Sequence, residues 1–482
     1  MKIFSVLSSL VILIVFSAYS ISPGATMSKV DFSTEMEAYY PLVEEALSLR
    51  EQSPAFFQSL EDELDRDGHL SAASIHTLKY TIKVQKKMRK ALFERAYQFE
   101  QWLDEETIDP VIRLKGVMFS LSAAIVLYDN YLFNLSMFQR NRHLRQIANT
   151  PDREYHLESL EVLHASEGYT SLNNYLRVKK AILFYREALK KGYVFDAEMV
   201  YLQRLIEKSP SYRAFADKHF FKVVAQKMYF NRQFSTDTVE ILSDTGINLF
   251  SEIFGNSVGL VVTRRGMMYG RNDITAALKT RLKAGDILIE KTPFRLTDAL
   301  IPGYWGHAAI WTGTQEELRA LGIWEHPGVV PYHTLINQNK MVIEALRSGV
   351  KLNTLEHFLN VDDMAVLREP AMSSDQRREV ILHAFAQLGK RYDFNFNVET
   401  SNKIVCSELV YTSYPHIKWP TDKALGRYTI SPDHIAVKTK SRQLELVVLY
   451  HKGEKVNDTS ALWEAMLNND MSTPLPIETI LP

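Results

Sequence analysis

Lys403-Ile404-Val405-Cys406-Ser407-Glu408-Leu409-Val410-Tyr411 is an apolar run that turns into helical spacing at its cysteine, the only one among 482 residues. With no second cysteine there is no internal disulfide, so the thiol is either a packed core group or a nucleophile kept reduced for chemistry. Its position favours chemistry. A helix starting near Cys406 would aim unpaired backbone N–H groups and the positive end of its dipole at the sulfur, which stabilises thiolate.

From about Gly255 onward, short stretches rich in Val, Ile and aromatics alternate with glycine and proline punctuation. The pattern predicts strands over 285–289, 307–311, 341–345, 365–368 and 444–450, with helices over 374–388 and from Cys406. This defines an α+β domain over 257–455. Residues 456–482 turn polar and then proline-bearing (Pro474, Pro476), which reads as a flexible tail. The preceding part, 33–256, has a different grammar. Leu78, Ile82, Met88, Leu92, Ala96, Phe99 and Leu103 recur at helical spacing, and 117–128 is apolar nearly all round, as in the central helix of a bundle. Asp109-Pro110 and Thr150-Pro151 each read as an N-cap followed by proline at the first helical position.

Composition narrows the function classes. A chain that is 46% hydrophobic and 23% charged, with formal net charge -1, buries an ordinary core and projects no global field toward nucleic acid or anionic lipid. Met1-Lys2 precedes an uncharged apolar stretch, 3–21, with Ala18 and Ser20 placed for cleavage, so residues 1–20 read as an export signal or an uncleaved membrane anchor. Glu63-Leu64-Asp65-Arg66-Asp67-Gly68 resembles the start of a calcium loop, but Ser74 stands where the bidentate glutamate belongs, and a capped helix–helix turn is the simpler reading. No phosphate-binding loop or zinc-spaced cluster is present, so neither cofactor nor metal is expected.

A thiolate needs a base, and seven histidines lie from His307 to His434. His307 opens an apolar strand after Trp305-Gly306, where packing would fix its ring. His326, His333, His357 and His416 stand in polar or proline-bearing segments and read as solvated rings. Glu344 interrupts the apolar run Val342-Ile343-Glu344-Ala345-Leu346, where a carboxylate is costly unless paired; it either orients the histidine or faces solvent.

Gly285-Asp286-Ile287-Leu288, Trp305-Gly306-His307-Ala308-Ala309-Ile310, Val342-Ile343-Glu344-Ala345 with Gly349-Val350, Tyr392-Asp393-Phe394 and Val405-Cys406-Ser407-Glu408 together resemble the permuted papain-like amidases, the YiiX/YebB-like branch of the NlpC-type cysteine hydrolases. In that branch the histidine precedes the cysteine, as here. The resemblance spans about 282–450 and implies Cys406 as nucleophile, His307 as general base and Glu344 as its orienting partner. Ser431-Pro432-Asp433-His434 also looks familial and reads as structural. An oxyanion would be met by the Cys406 backbone N–H, with Tyr304 and Ser407 as further oxyanion or substrate candidates, although a tyrosine beside Trp305 can equally be packing.

The resemblance and the export signal together imply a periplasmic or cell-envelope cysteine hydrolase that cleaves a peptide-like amide of the cell wall. A lipid amidase, thioesterase or acyltransferase is the second reading, favoured if apolar side chains are exposed around Tyr304-Trp305. In a third, the helical domain binds a protein partner and the papain-like half is a scaffold.

Overall fold

The computed structural model describes residues 32–159, 172–216, 264–294, 303–393, 398, 403–424 and 427–468. The apolar stretch 3–21, the end of the helical half beyond Ala216, and Phe394 lie outside the described residues.

The N-terminal half is built of helices, chiefly Phe32–Asp67, Ala72–Gln98, Pro110–Arg140, Leu172–Lys191 and Ala197–Lys208. Asp109 caps Pro110–Arg140 by accepting from the Val111 and Ile112 N–H groups, with proline at the first turn where its missing N–H costs nothing. Val117, Met118, Phe119, Leu121, Ala123, Ile125 and Val126 of this helix are all buried, as expected of a central helix. Residues 110–134 are apolar enough to cross a membrane, yet most of that window is buried inside the protein. At Thr150-Pro151 the structure departs from expectation. Thr150 ends the Arg142–Asn149 helix, and Asp152 accepts from the Glu154 and Tyr155 N–H groups in a turn. A short polar side chain just after proline offers the backbone a local alternative to a new helix. The acidic loop near Glu63 is a capped turn. The Glu63 carboxylate accepts from the Ser71 N–H at 2.8 Å and from the Ser74 hydroxyl, so its oxygens are used in joining two helices.

The C-terminal half is a seven-stranded antiparallel sheet with helices packed on it. Its strands include β1 (Asp286–Lys291), β2 (His307–Trp311), β3 (Lys340–Leu346), β4 (Gly349–Thr354) and β5 (Asp363–Arg368). The short strands β6 (Arg391–Tyr392) and β7 (Lys403–Ile404) pair with each other, as do β8 (Asp422–Ala424) and β9 (Arg427–Thr429). With β10 (Glu445–His451) and β11 (Glu454–Lys455), the main sheet runs β11-β10-β5-β1-β2-β3-β4. Ile287, Leu288 and Ile289 are consecutive and fully buried, so β1 is covered on both faces, which is why it reads as a continuous apolar run. The helix Cys406–Ser413 packs against β2 and β3.

One core joins residues from Met268 to Met466, with Ala72 of the helical region, and corrects the expected tail over 456–468; residues 469–482 lie outside the described residues. Ser460–Leu467 is a helix that buries Trp463 and Met466, and the Trp463 indole N–H donates to the Thr439 hydroxyl at 3.0 Å. Its ring meets Trp305, two residues before His307, at 5.7 Å between centroids. Trp463 and Met466, with Leu462 and Leu467 packed partly buried beside them, dock the segment. Trp463→Ala should therefore destabilise the domain by about 3–5 kcal/mol in chemical denaturation, the usual cost of emptying a buried aromatic site. An unchanged midpoint would return the segment to the status of a tail.

Candidate active site

Strand register brings the first two polar groups together. Ala309 of β2 stands opposite Glu344 of β3, and His307, two residues earlier on β2, shares Ala309's face. His307 and Glu344 are thus diagonal neighbours within reach of long side chains. His307 Nε2 lies 3.1 Å from Glu344 Oε2. The other carboxylate oxygen accepts from Asn353 Nδ2 at 2.8 Å and meets His357 Nδ1 at 3.1 Å. Burial opposes charge on Glu344, but these partners outweigh it and hold its pKa down to about 2.

His357 is a carboxylate partner of Glu344 and remains the solvated surface ring expected of it, its side chain 56% exposed. His333 stacks on Trp324 and bonds its carbonyl at 2.7 Å, and His416 pairs with Glu369 at 2.8 Å. Asn353 was missed altogether. Period-two alternation through Lys351 and Asn353 is the signal that could have found it, because Lys351 stands opposite Glu344.

The third group arrives from the helix. Cys406 is its first residue, with Val405 extended before it. The thiol is buried and hydrogen-bonded to His307; since Nε2 faces Glu344, the remaining Nδ1 is the nitrogen available to sulfur. Burial raises the thiol pKa. The charge of His307 and its hydrogen bond more than offset this, helped by the Ala308 and Ser407 N–H groups, so the net shift is downward. Burial likewise opposes the charged His307 ring, but Cys406 and Glu344 together carry its pKa well above the ordinary value. Both shifts favour the thiolate–imidazolium form of the pair.

Glu408, on the first turn of the same helix, accepts from the Val405 N–H at 2.9 Å. Burial and the nearby Asp393 push its pKa well up, which favours a neutral carboxyl that does not oppose thiolate. Tyr392 is also close. Burial, then Cys406 and Glu408, raise its pKa well above normal and keep the phenol protonated.

Tyr304 and Ser407 are placed differently from expectation. The Tyr304 hydroxyl donates to Asp363 Oδ2 at 2.5 Å, and the Ser407 hydroxyl donates to the Ile430 carbonyl at 2.6 Å. Buried hydroxyls must find acceptors, and both have found them in the scaffold, so neither side chain is available to an oxyanion. Ser431-Pro432-Asp433-His434 is structural. Asp433 accepts from the Tyr304 and Trp305 N–H groups, each at 3.0 Å, and so sets the loop entering His307. Gly303 is required there. Its φ is +104°, and an added Cβ would stand 2.2 Å from Asp433 Oδ2.

The site thus joins a sheet histidine and carboxylate to a thiol at a helix start, with histidine before cysteine in the chain. Residues 281–467 match the family model described as permuted papain-like amidase enzyme, YaeF/YiiX, C92 family. The chain therefore has an N-terminal helical region followed by a permuted papain-like domain, and the match supports a hydrolase. The crystal structure of the metalloprotein yiiX from Escherichia coli O157:H7 is similar at 21% identity, covering 34% of this chain and 82% of that one, with a TM-score of 0.23. No curated protein matches this chain.

Alkylation of Cys406 measured against pH checks the pair. With its pKa lowered, the thiol should react well below the usual pKa of about 8.5 and slow only as acid protonates the sulfur. In His307→Ala the profile should move to higher pH, because only the backbone N–H groups then oppose burial. Superimposable profiles would dissolve the pair.

Proposed function

We propose that this protein is a cysteine amidase that cleaves a peptide-like amide through a covalent acyl-enzyme on Cys406. The observation that carries the proposal is His307 hydrogen-bonded to both Cys406 and Glu344. In this reading the Cys406 thiolate attacks the amide carbonyl carbon. The Cys406 backbone N–H, free at a helix start, and the neutral Tyr392 phenol meet the oxyanion. Collapse breaks the C–N bond, and the amine leaves with a proton from the His307 imidazolium. His307 then takes a proton from water, which attacks the thioester; the C–S bond breaks, releasing acid and restoring the pair. Glu344 holds the ring with its Nδ1 toward sulfur and balances the imidazolium charge.

A peptide-like substrate is preferred to an acyl lipid. The lipid reading called for apolar side chains exposed around Tyr304-Trp305; among the described residues these two are buried, at 4% and 0% exposed, while 295–302 lie outside the described residues. The apolar stretch 3–21 after Met1-Lys2 supports export, which would bring the enzyme to cell-wall peptides. Kinship with the NlpC-type hydrolases belongs to the same proposal.

Peptidoglycan-derived peptides are the first substrates to assay. Cys406→Ser should abolish turnover, and mass spectrometry of the quenched wild-type reaction should find an acyl adduct on Cys406. Glu344→Gln should lower kcat by on the order of 10²- to 10⁴-fold, the range for a disturbed general base, while leaving measurable activity. Full activity in Cys406→Ser would sink the mechanism.

A further inference from the structure

The interface between the helical region and the papain-like domain holds a cluster that the proposed reaction does not use. His76 comes from the Ala72–Gln98 helix, Glu154 from the turn after Pro151, and His383 from the Ser374–Gln387 helix. One nitrogen from each histidine and one carboxylate oxygen lie within 4.8 Å of one another. His76 and Glu154 line a cavity of about 30 Å³ together with Tyr155 and Thr412, room for a single water-sized occupant.

The hydrogen bonds around His76 orient one of its lone pairs toward the cluster. His76 Nε2 lies 2.9 Å from the Thr412 carbonyl, which can only accept, so this nitrogen carries the proton and Nδ1 presents a lone pair. That Nδ1 is 3.7 Å from Glu154 Oε1 and 2.5 Å from the Tyr155 hydroxyl. His383 Nδ1 contacts the same Glu154 oxygen, while Glu154 Oε2 accepts from Gln387 Nε2 at 3.4 Å. A backbone carbonyl behind an imidazole and an amide behind a carboxylate are the outer partners typical of metal ligands. Donors around tetrahedral zinc, bound at about 2.0–2.1 Å, stand roughly 3.3 Å apart, so small side-chain shifts would close the shell. The flanking cations point elsewhere. Lys79 donates to the Thr150 carbonyl, and Lys390 to Gln387 Oε1.

We propose that His76, Glu154 and His383 form a zinc site that clasps the helical region to the papain-like domain, with Tyr155 or water as fourth ligand. Two imidazoles and one carboxylate are a donor set suited to zinc. Thr412 is on the helix that begins at Cys406, so the clasp braces that helix at its far end. The site does not depend on the proposed amidase reaction.

The test uses the full chain carrying Cys406→Ala, which removes the sulfur as a competing ligand. After chelator treatment, calorimetric titration should show one zinc bound per chain, and zinc should raise the thermal midpoint. Glu154→Gln and His383→Ala should each weaken binding at least tenfold and abolish the rise, with near-ultraviolet circular dichroism reporting that they fold. A zinc-edge anomalous map of the loaded Cys406→Ala protein should place the ion among the three side chains, a readout that needs no ligand variant. Absence of binding, unchanged affinity in both folded variants, or an ion found elsewhere would show that the cluster is an ion pair between imidazole and carboxylate.

Discussion

A carboxylate buried in a strand must be paired, and Glu344, 3% exposed, meets that demand with three side chains. The demand sets the geometry around it. Because side chains alternate along a strand, the β2–β3 register alone decides whether His307 and Glu344 share a face. A slip of one residue would separate them and strand the charge. Asp433 fixes the loop entering His307 from one side, and Trp463 packs behind Trp305 from another. The thiol meets a ring already held in place. Preorganisation of this kind keeps an ionised pair in a buried setting without first having to rearrange water.

The helical region is joined to this machinery through the same helix that carries the thiol. The Tyr411 hydroxyl donates to the Leu70 carbonyl at 3.1 Å, His76 meets the Thr412 carbonyl, and His69 stacks on Tyr428 with ring centroids 4.2 Å apart. The first two contacts fall at the end of Cys406–Ser413 remote from the cysteine, and the third is to β9. The two halves thus grip opposite ends of one short helix. A short helix has little stability of its own, so its seating depends on what it packs against.

Most of the sheet was legible because strand formation leaves a local mark. The stretches around 285–289, 307–311, 341–345, 365–368 and 444–450 all coincide with strands. β4 escaped because Lys351, Asn353 and Thr354 dilute its apolar content, and only its pairing with β3 makes it a strand. The docked helix Ser460–Leu467 escaped for a different reason: it is apolar but short, it stands between polar flanks, and its anchors find their partners far away in the chain. Thr150-Pro151 misled in the opposite sense, since a helix-start signal was outcompeted by the turn that Asp152 closes one residue later.

Read alone, the chain settles where its elements begin, that histidine and glutamate precede cysteine, and that the cysteine opens a helix. Capping, periodicity and turn chemistry act over a few residues, so they are written locally. Which polar group pairs with which is decided only in the folded molecule. Tyr304 and Ser407 look available in one dimension and are committed to Asp363 and Ile430 in three. His357 looks solvated and is, yet it also shares the carboxylate of Glu344. His76, Glu154 and His383 are related by no spacing rule and meet because two separately packed cores press their surfaces together. Hydrogen bonds and charge are satisfied by whatever packing brings within about 3 Å, and periodicity carries no record of that.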